Sequence, residues 1–287
     1  MSVRATVFLI SNKMHSGIHV LSATRVLAAL LAVGITTTVV PAAGQSTQTR
    51  ERLASPAPLP PSQPPANADQ IFADLVKHNE LRNAGLREYS AVRTYAVTDP
   101  NGKVHAKETV RMEYIAPDKK TFVTIAEEGS GVIRSLVLKR LMESEISAAA
   151  GQEHHDSSIT PANYTFHVLG EEDLGVHHCI VVDALPRRKD KYLFEGKVWI
   201  DSSDFAVVKI AGHPARKLSF WITRADFVRE YEKIGDFWLP AKDETLVDVR
   251  VYGRKILSIE HHTNSVNGTT STAFVGQTLQ TVQSETK

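Results

Sequence analysis

Consecutive strand-like runs joined by short turns are the feature that most constrains the fold of this chain. The stretch 192–222, "YLFEGKVWIDSSDFAVVKIAGHPARKLSFWI", holds three runs rich in aromatic and β-branched residues, separated by "DSSD" and "GHPARK". Such runs favour β-strands, and connections this short join antiparallel neighbours. The stretch carries no metal-ligand cluster and no phosphate-binding loop, so its large apolar side chains must serve another purpose.

Similar runs continue on both sides of this stretch, and two helical patterns interrupt them. Strands are expected at 89–98, 104–114, 120–127, 164–170, 178–185, 191–200, 205–211, 217–232, 237–253 and 255–266. A first helix, near 69–86, is expected to place Ile71, Phe72, Leu75, Val76 and Leu86 on one stripe. A second, at 132–150, is expected to share one face among Ile133, Leu136, Leu138, Leu141 and Met142. Helices grouped apart from consecutive strands indicate an α+β fold with an antiparallel sheet.

Alternation along the strands predicts which side chains face the interior. In the run 104–114, apolar and charged residues alternate, and Glu108 is the one break in the apolar series. The side chains expected to face inward and line a ligand site are Val110, Met112, Tyr114, Phe166, Val198, Ile200, Phe220 and Ile222. A shift of one residue in the register of any strand would reverse its faces.

Two interpretations of the apolar sheet remain open at this point. In one, the helices cover one face and the other is an ordinary mixed surface. In the other, a curved sheet lidded by helices encloses an apolar pocket. Such a pocket binds acyl chains by burial alone, which contributes ~0.8 kcal/mol per methylene and needs no catalytic residue.

The N-terminal region reads as an export signal followed by a spacer. Residues 1–44 place Arg25 before the uncharged run "VLAALLAVGITTTVV" and the small residues "PAAG", so cleavage is expected after Ala42 or Gly44. An uncleaved anchor is the alternative. Residues 45–68 form a proline-rich linker, 69–265 the folded domain and 266–287 a flexible tail.

Charge and cysteine content narrow the function class. The signal region carries three of the 33 Lys and Arg residues and no acid, which leaves 30 bases and 32 acids in the mature chain. A near-neutral chain with interspersed signs does not predict nucleic-acid binding. Cys179 is the only cysteine, so the exported domain has no internal disulfide.

Histidine pairs and the single thiol are weak indications of chemistry. The pairs at 154–155, 177–178 and 261–262 lack the spacing of a metal site, and neighbours on a strand point to opposite faces. For the same reason His178 cannot activate Cys179, which is expected to be a small buried core residue. A hydrolase using His178 or His213 is a minor alternative. No cofactor and no metal are expected.

At this point the chain resembles a known family. A helix leading into "YSAVRTY", the hairpin with "YIAPDKKTF", a mid-chain helix and "HCIVVDALPRRKDKYLFEGKVWIDSSDFAVVKI" are similar to the LolA-like lipoprotein-sorting proteins and to RseB-type domains. The resemblance spans 69–262, and "GKVWID" with "VVKI" is its most specific part. It implies an incomplete half β-barrel closed by helices, with a hydrophobic cavity for lipoprotein acyl chains in the periplasm.

One position departs from that family. In the carrier proteins a basic residue before the proline at the end of a cavity strand helps to hold the lid, whereas here Ala116 precedes Pro117. Lys119 and Lys120 lie nearby without any requirement to point inward. The departure concerns lipoprotein shuttling and leaves the expected fold unchanged.

These observations predict a periplasmic, non-enzymatic, monomeric binding protein with an apolar cavity for a lipid or a lipidated partner. It would act in lipoprotein sorting or envelope lipid handling, as a soluble protein with transient membrane association. The alternative is an RseB-type sensor module that contacts another envelope protein through a sheet edge and has no deep cavity. The two differ in whether lipid or protein copurifies with the domain.

Overall fold

The computed structural model describes residues 68–149, 159–190, 192–218 and 220–271. The expected signal segment, nearly all of the linker and most of the tail lie outside these ranges. The helices are α1 (Ala68–Gly85), the short α2 (Gly131–Ile133), a π-helical segment (Arg134–Leu138) and α3 (Lys139–Ala149). The strands are β1 (Glu88–Thr98), β2 (Val104–Ile115), β3 (Lys119–Gly129), β4 (Tyr164–Leu174), β5 (His177–Pro186), β6 (Phe194–Asp201), β7 (Ala206–Pro214), β8 (Ile222–Ile234), β9 (Phe237–Val249), β10 (Gly253–Val266) and β11 (Thr269–Thr270).

All eleven strands belong to one antiparallel sheet. Its order is β3-β2-β1-β10-β9-β8-β7-β6-β5-β4, with β11 paired to β10. The pairing of β1 with β10 brings the two ends of the domain together, and β3 and β4 remain as unpaired edges of the described sheet. The sheet is curved but not closed, which confirms the expected α+β fold with an incomplete barrel.

Turn chemistry fixes the hairpins where the sequence predicted them. Between β1 and β2, the Asp99 side chain accepts hydrogen bonds from the backbone amides of Asn101 and Lys103, and Gly102 donates to the Asp99 carbonyl. Gly102 adopts a φ of 83°, which a residue without Cβ takes at little cost. Strand register then follows outward from the turn.

The mid-chain helix, residues 131–149, differs in one respect from the expected amphipathic face. Arg134–Leu138 is π-helical, and the amide of Lys139 donates to the carbonyl of Arg134, one residue beyond the α-helical partner. This wider turn rotates the following side chains. Val137 is therefore buried, and Leu136, which the regular period placed on the inner face, is only half-buried.

The helices cover one face of the sheet, called here the inner face. α1 packs its side chains into a cluster with strands β4–β8, and the mid-chain helix packs into a second cluster with β1, β2 and β10. On the opposite face, Cys179, Val181, Trp199 and Val208 form a smaller cluster without a helix. Within the described residues, no helix has the length and apolar character needed to cross a bilayer.

Candidate ligand-binding face

Most of the side chains predicted to face inward do so. Val110, Met112, Phe166, Val198, Ile200 and Ile222 are buried on the inner face, and Tyr114 is half-buried beside them. Phe220 differs: its side chain is 69% exposed. It lies in the loop before β8, which begins at Ile222, so the alternation that was extended back to residue 220 does not apply there. Its expected inward orientation is therefore corrected.

Helix α1 fills the inner face above strands β4–β8. The ring of Phe72 stacks on Phe166 with their centroids 3.4 Å apart, and Ile71 and Leu75 are buried beside it. Tyr164, Phe194 and Phe227 continue the aromatic contacts below the helix. Of the side chains expected to line a cavity, Phe166, Val198 and Ile200 thus belong to the cluster that the protein's own helix covers.

The other end of α1 is held by polar contacts. Arg82 donates from Nη1 to the carbonyl oxygen of Asp204 at 2.7 Å and from Nη2 to that of Phe205 at 3.0 Å. Both acceptors belong to the turn between β6 and β7. Hydrogen bonds therefore tie the helix to the sheet near its C-terminus, and the apolar contacts of Ile71, Phe72 and Leu75 hold it near its N-terminus.

The mid-chain helix covers a separate apolar cluster. Val137, Leu138, Leu141 and Met142 pack against side chains of β1, β2 and β10. The carboxylate of Glu145, on this helix, contacts side chains of the sheet. Glu145 Oε2 lies 2.7 Å from Arg93 Nη1 and 3.1 Å from Lys120 Nζ, and Tyr95 donates its hydroxyl to Oε1 at 3.2 Å.

Burial of this carboxylate alone would raise the pKa of Glu145, because the charged form loses water. The cations Arg93 and Lys120 more than offset that effect and hold the pKa of Glu145 well below its usual range. Glu145 is therefore ionised at neutral pH. We call the two ion pairs of Glu145, with Arg93 and with Lys120, the charged latch; they join the mid-chain helix to β1 and β3.

Polar side chains continue across the inner face from this latch. We call Lys120, Arg93, His261, Asp243 and Arg229 the charged row; its members come from β3, β1, β10, β9 and β8. Arg229 bonds the carboxylate of Asp243, and His261 Nε2 lies 3.0 Å from the other oxygen of that carboxylate. Burial, followed by the charge of Arg93, lowers the pKa of His261, so the imidazole is neutral at pH 7.

Sequence reasoning did not identify the charged row. The available signal was a charged residue at an inward position of an alternating run, as with Arg93 between Ala91 and Tyr95. Lys120 does point inward, so the latch is built from β1 and β3 and not from the residue before Pro117.

A pocket of about 570 Å³ opens between the mid-chain helix and strands β2 and β3. This volume lies in the ~300–1,000 Å³ range of small-molecule sites. Phe122, Met142 and Ile146 supply apolar lining, and the remaining side chains are polar or charged, among them Glu108, Arg134 and Lys139. Glu108, the one break in the apolar alternation, accepts a hydrogen bond from Thr124 Oγ1 at 2.9 Å.

The histidines and the thiol occupy unrelated positions. His178 is exposed and contacts Asp173 and Glu171, while His213 is exposed beside Glu195. Cys179 is buried, as expected, and burial raises the pKa of its thiol to about 11. Among the described residues, no three His, Cys, Asp or Glu side chains are grouped as metal ligands.

Three solved structures with a similar fold are remote in sequence. A domain assigned to outer membrane lipoprotein sorting, from Vibrio parahaemolyticus, is 12% identical over 74% of this chain and 99% of its own, with a TM-score of 0.40. A LolA superfamily protein from Nitrosomonas europaea is 8% identical over 68% and 91%, with a TM-score of 0.32. MucB in the Pseudomonas aeruginosa MucA/MucB complex is 10% identical over 67% and 93%, with a TM-score of 0.24.

No family model matches the chain, and no curated protein matches its sequence. The function of the protein must therefore be inferred from its own side chains.

Proposed function

We propose that the protein is an exported, non-enzymatic and monomeric carrier that binds an acyl chain on its inner face, beneath α1. The observation that supports this most directly is the way in which α1 covers the apolar cluster. Among the described side chains of that helix, Ile71, Phe72 and Leu75 are the ones buried in the cluster, and Ala68 packs against its margin. An occupant that offers more apolar surface than these three side chains can replace them.

The burial energies of the lid and of the ligand are of similar size. Burying three large apolar side chains contributes roughly 5–9 kcal/mol, at about 1.5–3 kcal/mol each. An acyl chain of about 16 carbons gains on the order of 12 kcal/mol at ~0.8 kcal/mol per methylene. The contacts of Arg82 would keep the C-terminal end of α1 attached while its N-terminal end swings away. In this proposal α1 is a lid, and Phe166, Val198 and Ile200 become the ligand-contacting residues.

The experiment tests whether weaker packing of α1 on the sheet increases the affinity of the domain for a fatty acid. Fluorescent fatty acid would be titrated into the wild-type domain and into Phe72→Ala, which removes the stacked ring and should strengthen binding. Leu81→Ala is the matched control, because Leu81 is on the same helix but 67% exposed. Val198→Glu places a charge beneath the lid and should abolish binding.

Native mass spectrometry of residues 45–287, purified from a bacterial periplasm without detergent, identifies the natural occupant. A bound species of lipid mass that is lost on organic extraction supports the carrier. An apo mass together with no uptake of fatty acid by either wild-type protein or Phe72→Ala would refute it.

A second candidate, a protein-interaction module, is favoured by the edge strand β3. Val123 and Ile125 on this strand are 59% and 53% exposed, and one side of the strand has no partner in the described sheet. An exposed edge of this kind can pair with an extended segment of another protein. Val123→Lys would then remove a copurifying protein and leave fatty-acid binding unchanged.

A further inference from the structure

Four large side chains are exposed together at one end of the sheet. Phe220 and Trp221 lie in the loop between β7 and β8, and Val251 and Tyr252 lie in the hairpin between β9 and β10. Their exposed fractions are 69%, 52%, 65% and 51%. The amide of Arg250 donates to the carbonyl of Trp221 at 2.9 Å, so the two loops are adjacent. Single apolar side chains scattered over a surface need no explanation, but these four are grouped at adjacent loops and form a patch.

The patch is held in its exposed position by specific contacts. The guanidinium carbon of Arg250 lies 4.2 Å from the centroid of the Phe220 ring, and its Nε donates to the carbonyl of Phe220 at 2.8 Å. The rings of Phe220 and Trp221 meet edge to face at 5.5 Å. These contacts fix apolar rings beside a cation at the surface instead of letting them fold toward the core.

The loops around the patch are strongly basic. We define the basic rim as the described residues of three loops, 187–193, 215–221 and 250–252, together with the first residues of β8 and β10. Its exposed cations are Arg187, Arg188, Lys189, Arg216, Lys217, Arg224, Arg250 and Arg254. The acids of the rim and of the adjoining strand ends are Asp190, Glu195, Asp226 and Asp248. Three of them lie beside an arginine of the rim, and Glu195 lies beside His213. Four positive charges therefore remain in excess.

Strand topology puts these loops on one edge of the molecule. The end of β5, the start of β6, the end of β7, the start of β8, the end of β9 and the start of β10 are neighbours in the ladder. The opposite edge carries Asp118, Asp173, Asp204 and Asp236 in its turns, together with the cations Arg87, Lys119 and Lys233. Excess positive charge is thus concentrated at the basic rim, although the total charge of the chain is near zero.

From this arrangement we infer that the basic rim docks on the surface of an anionic phospholipid membrane, with Phe220, Trp221, Val251 and Tyr252 entering the headgroup region. Tryptophan and tyrosine favour the boundary between headgroups and acyl chains. Cations next to them gain from the negative surface potential of anionic lipid. A deep protein pocket would not need an exposed apolar patch with so many excess charges. This docking does not depend on acyl-chain binding on the inner face.

The test uses vesicles of phosphatidylcholine with and without phosphatidylglycerol, and the full folded chain. Wild-type protein should cosediment with the anionic vesicles, lose binding as salt is raised, and show a blue shift in the emission of exposed Trp221. The double variant Arg216→Glu/Lys217→Glu should weaken binding by about 25-fold or more, because each surface cation contributes about fivefold. Its control is Arg87→Glu/Lys119→Glu, the same charge change on exposed residues of the opposite edge.

The apolar part of the patch has a test of its own. Phe220→Ser/Trp221→Ser should weaken binding even at low salt, whereas Val176→Ser, at a 93% exposed residue of the opposite edge, should not. Weakening by the rim variants together with normal binding by both controls supports the inference. No binding of wild-type protein to anionic vesicles, or equal loss in rim and control variants, overturns it. A protein that copurifies through the rim in the absence of vesicle binding would assign the surface to a protein partner instead.

Discussion

Arg93 Nη1 lies 2.7 Å from Glu145 Oε2, and this buried ion pair joins the central strand β1 to helix α3. Lys120 shares the same carboxylate oxygen at 3.1 Å. The carboxylate therefore neutralises two cations that have little access to water. Removing it should cost more than removing either cation, because both would remain buried without their anion.

Glu145→Gln should accordingly lower the free energy of unfolding by about 3–5 kcal/mol, the usual cost of leaving buried charge unpaired. Urea denaturation followed by circular dichroism measures this loss. Glu143→Gln, at an exposed position of the same helix, should change stability by less than about 0.5 kcal/mol. Adding Lys120→Met to Glu145→Gln should recover part of the loss; no recovery would contradict the shared-carboxylate account.

His261 should make stability depend on pH. Burial, and then the nearby charge of Arg93, lowers the pKa of His261 in the folded protein below its ordinary value of 6.5. Between the two pKa values the unfolded chain binds the proton and the folded chain does not. The free energy of unfolding should therefore fall as pH drops below about 6.5. Urea midpoints from pH 8 to pH 5 should show this slope, and His261→Gln should flatten it.

Gly212 lies opposite Gly196 in the ladder between β6 and β7. A Cβ at Gly212 would approach the carbonyl oxygen of Glu195 to 2.4 Å, a backbone contact that cannot be relieved by a side-chain rotation. Gly212→Ala should lower the thermal midpoint by several degrees or prevent folding. Gly131→Ala is the matched control, because the nearest atom there is a flexible Arg134 side-chain nitrogen at 3.7 Å.

The single thiol reports on global unfolding. Burial, the largest cause, and then the carboxylate of Asp201 raise the pKa of Cys179 to about 11, so little thiolate exists at neutral pH. A thiol reagent should label the native protein slowly and label it at once in guanidinium chloride. Fast labelling under native conditions would show that the sheet opens locally around β5.

The π-helical segment predicts an unusual order of two alanine substitutions. Val137→Ala should cost about 1–3 kcal/mol because Val137 is buried under the mid-chain helix. Leu136→Ala removes a larger side chain but should cost less, since Leu136 is only half-buried. Denaturation of both variants side by side measures the order, and the reverse order would mean that the helix keeps a regular period.

Local patterns carried most of the fold information in this sequence. Alternation in β2 placed Val110 and Met112 on the inner face correctly, because the one register shift between β1 and β2, at Val97/Thr98, lies next to the turn and before these residues. The same method failed at Phe220, where no strand constrains the backbone. It also placed Leu136 on the inner face of a helix whose period changes at Arg134.

The charged row depends on contacts that local patterns do not contain. Arg93 meets His261 only because β1 pairs with β10, and it meets Glu145 only because the mid-chain helix returns over the sheet. From the sequence, each of these residues is one polar side chain of a strand, with no indication of its partners. Their mutual neutralisation becomes visible only once the nonlocal strand order is known.

The unpaired strands β3 and β4 have a mechanical consequence. Along the rest of the sheet each strand is bonded to its neighbours, but in the described part of the chain no ladder joins these two edges. The distance between them can therefore change through small increments of twist at every strand pair, without breaking a backbone hydrogen bond. Resistance to such a change comes from the side chains that α1 and the mid-chain helix insert above the sheet. The width of the half-barrel is thus set by the helices above it, and under the proposed function one continuous, hydrogen-bonded wall would adapt to ligands of different thickness.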